Sequence, residues 1–178
     1  TVIDGGQKSA VIQIQAAGSP DLIVEGFTIR NGRSNALQER YGGGISGYGN
    51  QATIRYNVIT QNLADGVAAK GGGIYNCTGL IHDNTITGNT ADGADAQGGG
   101  LYGCGGEIYN NIITANTATP GSGRGGGLAK CDGLIYGNTI RENVAGDSSG
   151  EGGGLYDCGG EIYDNTIADN VAGDSSGK

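Results

Sequence analysis

Fixed and free positions alternate along most of this chain. Residues 71–97 read GGGIYNCTGLIHDNTITGNTADGADAQ, and the same pattern restarts at Gly98, Gly125 and Gly152, every 27 residues. Compared column by column, Cys77, Gly79 and Ile81 recur unchanged in each later copy, while the intervening Thr78, Leu80 and His82 columns vary. The same rhythm runs from Asn84 to Thr87. A period of two means a strand with one buried face. The pattern therefore predicts three short strands per copy, near residues 72–75, 78–82 and 84–87, closed by a variable tail from Asp92 to Gln97. No segment carries a helical period.

One copy cannot bury its own inward face, but stacked copies can. The expected fold is all-β, a parallel β-helix (β-solenoid) of about six coils, with successive strands about 4.8 Å apart. The whole chain, residues 1–178, is expected to form one domain. Residues 1–41 would be an irregular opening coil, and 42–70, 71–97, 98–124, 125–151 and 152–178 the repeats. Columns then become ladders. Ile81 and Ile86 with their equivalents fill the core. Asn84, Asn111, Asn138 and Asn165 make one asparagine ladder, and Asn89, Asn116, Asn143 and Asn170 a second, each amide serving the next rung and the backbone freed by a bend. The glycine triplets mark a bend where a Cβ would clash or φ is positive. Cys77, Cys104, Cys131 and Cys158 stack as buried thiols. Their parallel Cβ vectors suit a disulfide poorly, so they are expected to stay free.

The opening region is less regular. Residues 11–15 read as an alternating strand, Gly18 to Asp21 as a turn, and Asn31 to Asn35 as a loop. Between them Leu22, Val24, Phe27 and Ile29 are expected to face inward. The copy at 42–70 carries a two-residue insertion within 46–53 and lacks the cysteine.

Composition changes this picture in two ways. The 178 residues include 39 Gly, and Leu, Ile, Val and Phe together make just under a fifth, values near those of disordered chains. The strict 27-residue phase outweighs that. The net charge of −8 argues against nucleic acid and against an anionic membrane surface, and no apolar run is long enough to insert into a membrane. A secreted or cell-surface setting fits. No metal ligand set and no cofactor motif is present; the cysteines lack both C-x-x-C spacing and a histidine partner.

The motifs Gly-Gly-Gly-Ile or Gly-Gly-Gly-Leu at 71–74, 98–101, 125–128 and 152–155, and Ile-x-x-Asn at 59–62, 86–89, 113–116, 140–143 and 167–170, carry a resemblance. The chain resembles the right-handed parallel β-helices of the pectin-lyase-like superfamily. Within it, the motifs are similar to the repeats of polymorphic outer-membrane and surface adhesin-like proteins, with Ile in place of Phe. The right-handed coil is what the resemblance implies. So is one candidate activity, cleavage of polysaccharides by outward acidic residues of adjacent rungs.

Several outward columns carry candidate chemistry. Arg141, Glu142 and Asp169 form the one charged cluster on the 84–88 strand, and an exposed ion pair is the plainer reading. Asp92, Asp95, Asp147 and Asp174 lie in Gly- and Ser-rich tails with no calcium-loop spacing. His82, Tyr109, Tyr136 and Tyr163, headed by Arg55, form an outward column that could meet a polysaccharide; mutual support along the ladder is the alternative. Tyr75, Tyr102 and Tyr156 form another, interrupted by Ala129. Threonine rows at Thr85, Thr139 and Thr166 and at Thr60, Thr87 and Thr114 suggest an ice-binding array, spoiled by Ile112, Arg141 and Ala168. The chain stops at Lys178, at the end of a repeat, which suggests end-to-end self-association or continuation of a longer solenoid. The expected function is a non-catalytic, extracellular structural or adhesive solenoid that stacks into filaments. A carbohydrate-binding or polysaccharide-cleaving protein is the alternative.

Overall fold

A computed structural model describes residues 1–15, 22–35 and 41–173. The expected turn at Gly18 to Asp21, the tail residue Asp174 and the terminus at Lys178 lie outside them. Every described strand pairs in parallel with the strand one coil away, and among the described residues there is no helix. The coil is a parallel β-solenoid of about six turns of about 27 residues.

Each regular coil carries four strands, not the expected three. In the coil at 71–97 they are Ile74–Tyr75, Leu80–His82, Thr85–Thr87 and Thr90–Asp92. Stacked, they make four sheets, named here by these strands. The Thr85 sheet has seven strands: Val2–Asp4, Thr28–Arg30, Val58–Thr60, Thr85–Thr87, Ile112–Thr114, Thr139–Arg141 and Thr166–Ala168. The other three have six each among the described residues. The fourth strand escapes a hydrophobicity reading because its inward residue is Ala91, too small to mark a core position.

Register is strict. Ile81 pairs with Ile54 and Ile108, and Ile86 with Ile59 and Ile113. These side chains are wholly buried and join one core with Ile74, Leu101, Leu128 and the cysteines. Each buried Ile contributes about 2 kcal/mol of transfer free energy. A second, smaller cluster contains only alanines: Ala64, Ala69, Ala91, Ala96 and Ala118.

The strands meet at corners in the left-handed region. In this coil they are Gly71 (φ 64°), Asn76 (49°), Asp83 (54°) and Gly88 (62°). The triplet glycines answer to both expected causes, divided between positions. Gly71 needs its positive φ. Gly72 has ordinary φ, but a Cβ there would lie 2.5 Å from the backbone of Gly99 and of Thr90. Glu142 and Asp169, expected on the strand, stand instead in a corner column with Gln61, Gly88 and Ala115, with φ of 53–62°.

The opening coil is more regular than expected. Val2–Asp4 starts the Thr85 sheet, and Arg33–Asn35, expected as loop, is a strand of the Thr90 sheet. The expected strand at 11–15 narrows to Ile12–Gln13. Val24 and Ile29 are buried, Leu22 and Phe27 partly so, and Gly26 (φ 74°) turns the corner between them.

Candidate functional site

The outward column of the Leu80 sheet is the most organised surface. Arg55, His82, Tyr109, Tyr136 and Tyr163 are register partners in successive strands. From His82 to Tyr163 the rings stack face to face, with centroids 4.6, 5.0 and 5.1 Å apart and planes within 5°. Arg55 does not join the stack. Its Nε donates to Glu25 Oε2 at 2.6 Å, and its guanidinium lies 5.8 Å from the Tyr56 ring centre. Tyr56 meets His82 edge-on at 6.0 Å. His82 is 7 % exposed, and its Nδ1 lies 2.7 Å from Asp83 Oδ2. The Tyr136 hydroxyl donates to Glu107 Oε2 at 3.0 Å. Loss of water around Tyr136, together with that bond and the Glu107 charge, pushes its phenol up to about 12. Glu107, one residue before the Ile108 column, had no sequence signal beyond its period-two phase.

This geometry bears on what the column can bind. Each ring face between neighbours is already covered by another ring. Only edges and hydroxyls line the outer rim, so a sugar ring has no interior aromatic face to lie on.

A second aromatic row lies on the Ile74 sheet. Tyr41 meets Tyr75 at 4.9 Å, and Tyr75 stacks on Tyr102 at 5.7 Å. Lys70 Nζ sits 5.4 Å from the Tyr41 ring centre and 5.1 Å from that of Tyr102. Past the gap at Ala129, Arg124 lies over Tyr156 at 5.7 Å, held by Asp95 and Glu151. Lys70, Gln97, Arg124 and Glu151 are bridge partners in one column, the residue before each glycine triplet. That constant polarity was the signal available in the sequence.

The asparagines form two hydrogen-bonded columns at the buried corners. Asn84 Nδ2 donates to Asn111 Oδ1 at 3.0 Å, and the Asn84 backbone N–H donates to the same oxygen at 3.0 Å. Asn84 Nδ2 also reaches Ile54 O at 2.8 Å and His82 O at 2.9 Å. Asn111 repeats this toward Asn138, and Asn138 toward Asn165. The second column runs the same way from Asn89 through Asn116 and Asn143 to Asn170. Both begin one coil earlier, at Asn57 and Asn62. There the amide oxygens accept from the backbone N–H of Phe27 and Gly32. Every amide-to-amide bond between rungs runs from the lower-numbered residue to the higher, while each Nδ2 also donates to a backbone carbonyl of the preceding coil.

The four thiols are free; Cys77, Cys104 and Cys131 are buried and Cys158 partly so. Each S–H points to a carbonyl two residues back, from 3.9 Å at Cys77 to 3.4 Å at Cys158. Burial pushes the Cys77 thiol well up, which keeps it protonated. Arg141 and Glu142 face each other at 3.8 Å with both side chains about half exposed, and Asp169 occupies the next corner of that column. Asp95 pairs with Arg124, and Asp147 accepts from the Gly121 N–H at 2.6 Å. A shallow cleft of about 260 Å³ opens beside the aromatic column, lined by Gln51, Thr53, Thr78, Leu80 and Glu107.

A family model described as a right handed beta helix region matches residues 43–177. No curated protein and no solved structure matches the chain.

Proposed function

Because the chain belongs to the right-handed β-helix family, we propose that it is a non-catalytic structural or adhesive rod, secreted or displayed at a cell surface. The observation that carries this reading is the continuity of its ladders. Two asparagine columns, a thiol column and an aromatic column each run through four or more consecutive rungs without a break. Side chains spent this way stiffen an axis, and no single rung is singled out from its neighbours as a reaction centre would be. The motif resemblance to pectin-lyase-like and adhesin-like repeats supports an extracellular setting. Each rung pairs with the next in one repeated register, so a further rung, of the same chain or of a second copy, would add with the same hydrogen-bond pattern. Electron microscopy over a concentration series tests this: end-joined rods are expected, and only short isolated rods at high concentration would count against stacking.

A carbohydrate-binding or polysaccharide-cleaving role is the second reading. The cleft beside Glu107 and Thr78 supports it, with hydroxyl, amide and carboxylate groups next to the apolar Leu80. Binding on a glycan array that is lost in Glu107→Ala, or turnover of an acidic polysaccharide lost in Arg141→Ala, would reverse the preference.

A further inference from the structure

The outer face of the Thr85 sheet differs from the others. Its first outward column is Val2, Thr28, Val58, Thr85, Ile112, Thr139 and Thr166, seven β-branched residues without a charge. Val2, Val58 and Ile112 are 39–54 % exposed there. The second column is Asp4, Arg30, Thr60, Thr87, Thr114, Arg141 and Ala168. Its charges are confined to the ends. Asp4 pairs with Arg30 at 3.0 Å at one end, and Arg141 with Glu142 at 3.8 Å at the other. The two pairs cancel, and Asp169 at the next corner leaves this face with a single negative charge on a chain of net charge −8. Thr114 Oγ1 is shielded from solvent and has no hydrogen-bond partner within the chain.

We propose that this face is a self-complementary docking surface for a second copy of the chain, the two rods lying side by side with their axes antiparallel. The two-fold axis lies along the strand direction, between the Thr60 and Thr87 rungs. Rotation about it keeps each column facing its own kind and reverses the order of rungs. The Val58 rung then meets the Thr85 rung of the second copy, the Thr28 rung meets the Ile112 rung, and the Val2 rung meets the Thr139 rung. Asp4 faces Arg141 of the second copy with Glu142 beside Arg30, a cluster of two cations and two anions. Symmetry makes this cluster twice. The opposite choice, parallel axes, would set the charged column against the apolar one.

The face spans six rungs at about 4.8 Å and five residues at about 3.3 Å between corners, or about 450 Å² per copy. That is the size of a weak, reversible interface, so a dimer is expected at about 100 µM rather than at nanomolar concentration. The contact is lateral and independent of the rod ends.

Sedimentation equilibrium of the full chain tests this. Wild type should shift from monomer to dimer as concentration rises, and Thr87→Lys, at a half-buried outward position in the centre of the face, should weaken it at least tenfold with an unchanged circular dichroism spectrum. Asp4→Arg alone and Arg141→Glu alone should each stay monomeric, because each sets like charges together. An equal mixture of those two variants should dimerise, since both clusters are then restored. A chain that remains monomeric to about 1 mM overturns the proposal. So does association untouched by Thr87→Lys, which would place the contact at the ends or on another face, and so does a charge-swap mixture that stays monomeric.

Discussion

Two parts of each coil reach a dry interior by opposite means. On one side the Ile81 and Ile86 ladders fill space with large side chains. On the other, the Thr90 sheet and the glycine triplets remove side chains altogether. Ala91 and Ala96 are the inward groups there, and the backbone of Gly72 lies against that of Thr90. The first region is packed by volume and can relax around a lost methyl. The second is packed by close approach of backbone to backbone, and rigid main chain cannot give way to an added one. Tolerance to change should therefore differ in sign: the isoleucine core suffers from deletion, the glycine–alanine seam from insertion.

The largest effect is expected from Gly99→Ala. Its Cβ would stand 2.5 Å from the Thr117 backbone and 2.6 Å from Gly126 O, with main chain on both sides. A loss of about 4 kcal/mol or more, or failure to fold, should appear in urea denaturation. Next comes Ile86→Ala, which leaves a cavity at a wholly buried position and should cost about 3 kcal/mol in the same experiment. If Gly99→Ala proves milder than Ile86→Ala, the contrast between the regions fails. Third, Ala118→Val adds two methyl groups to the seam and should cost about 2 kcal/mol, whereas adding bulk on the outward side of the same strand, as in Thr117→Ile, should cost well under 1 kcal/mol. Similar values for the two would show the seam to be looser than its geometry.

The smallest effect should have the opposite sign. Ala115 sits at a corner with φ of 53°, where a Cβ is strained and the preceding coil has Gly88. Ala115→Gly should stabilise by about 1 kcal/mol, the relief of strain exceeding the added chain entropy. A shift of the thermal midpoint upward would support this; a downward shift would mean that neighbouring packing, rather than backbone strain, governs the corner.

The isoleucine region was legible in the sequence because Ile81, Ile86 and their equivalents mark an inward phase that nothing else imitates. The asparagine phases were equally plain, and residues 54–62, which fall in the same phase, carry both columns one copy earlier at Asn57 and Asn62. The seam was not legible as a sheet. Ala91 recurs in every regular copy, yet alanine neither favours strands nor announces burial. Arg33–Asn35 was hidden for the same reason: its inward residue is Ser34, a small polar group. As for the candidate surface, the tyrosine column could be placed outward from its period, but not the rotation that turns its rings on one another. Ring orientation follows from the 4.8 Å rise between rungs, which leaves room for one stacked arrangement and little else.

The asparagine columns have a final consequence. Their amides are linked donor to acceptor in one sense only, from Asn57 toward Asn165 and from Asn62 toward Asn170. Aligned amide dipoles add and polarise one another. The rod is therefore an electrical vector, with a donor pole and an acceptor pole that are chemically unlike. Copies joined through their ends would have to point the same way, giving a fibre with a direction, whereas copies laid flank to flank in opposite senses would cancel each other's field.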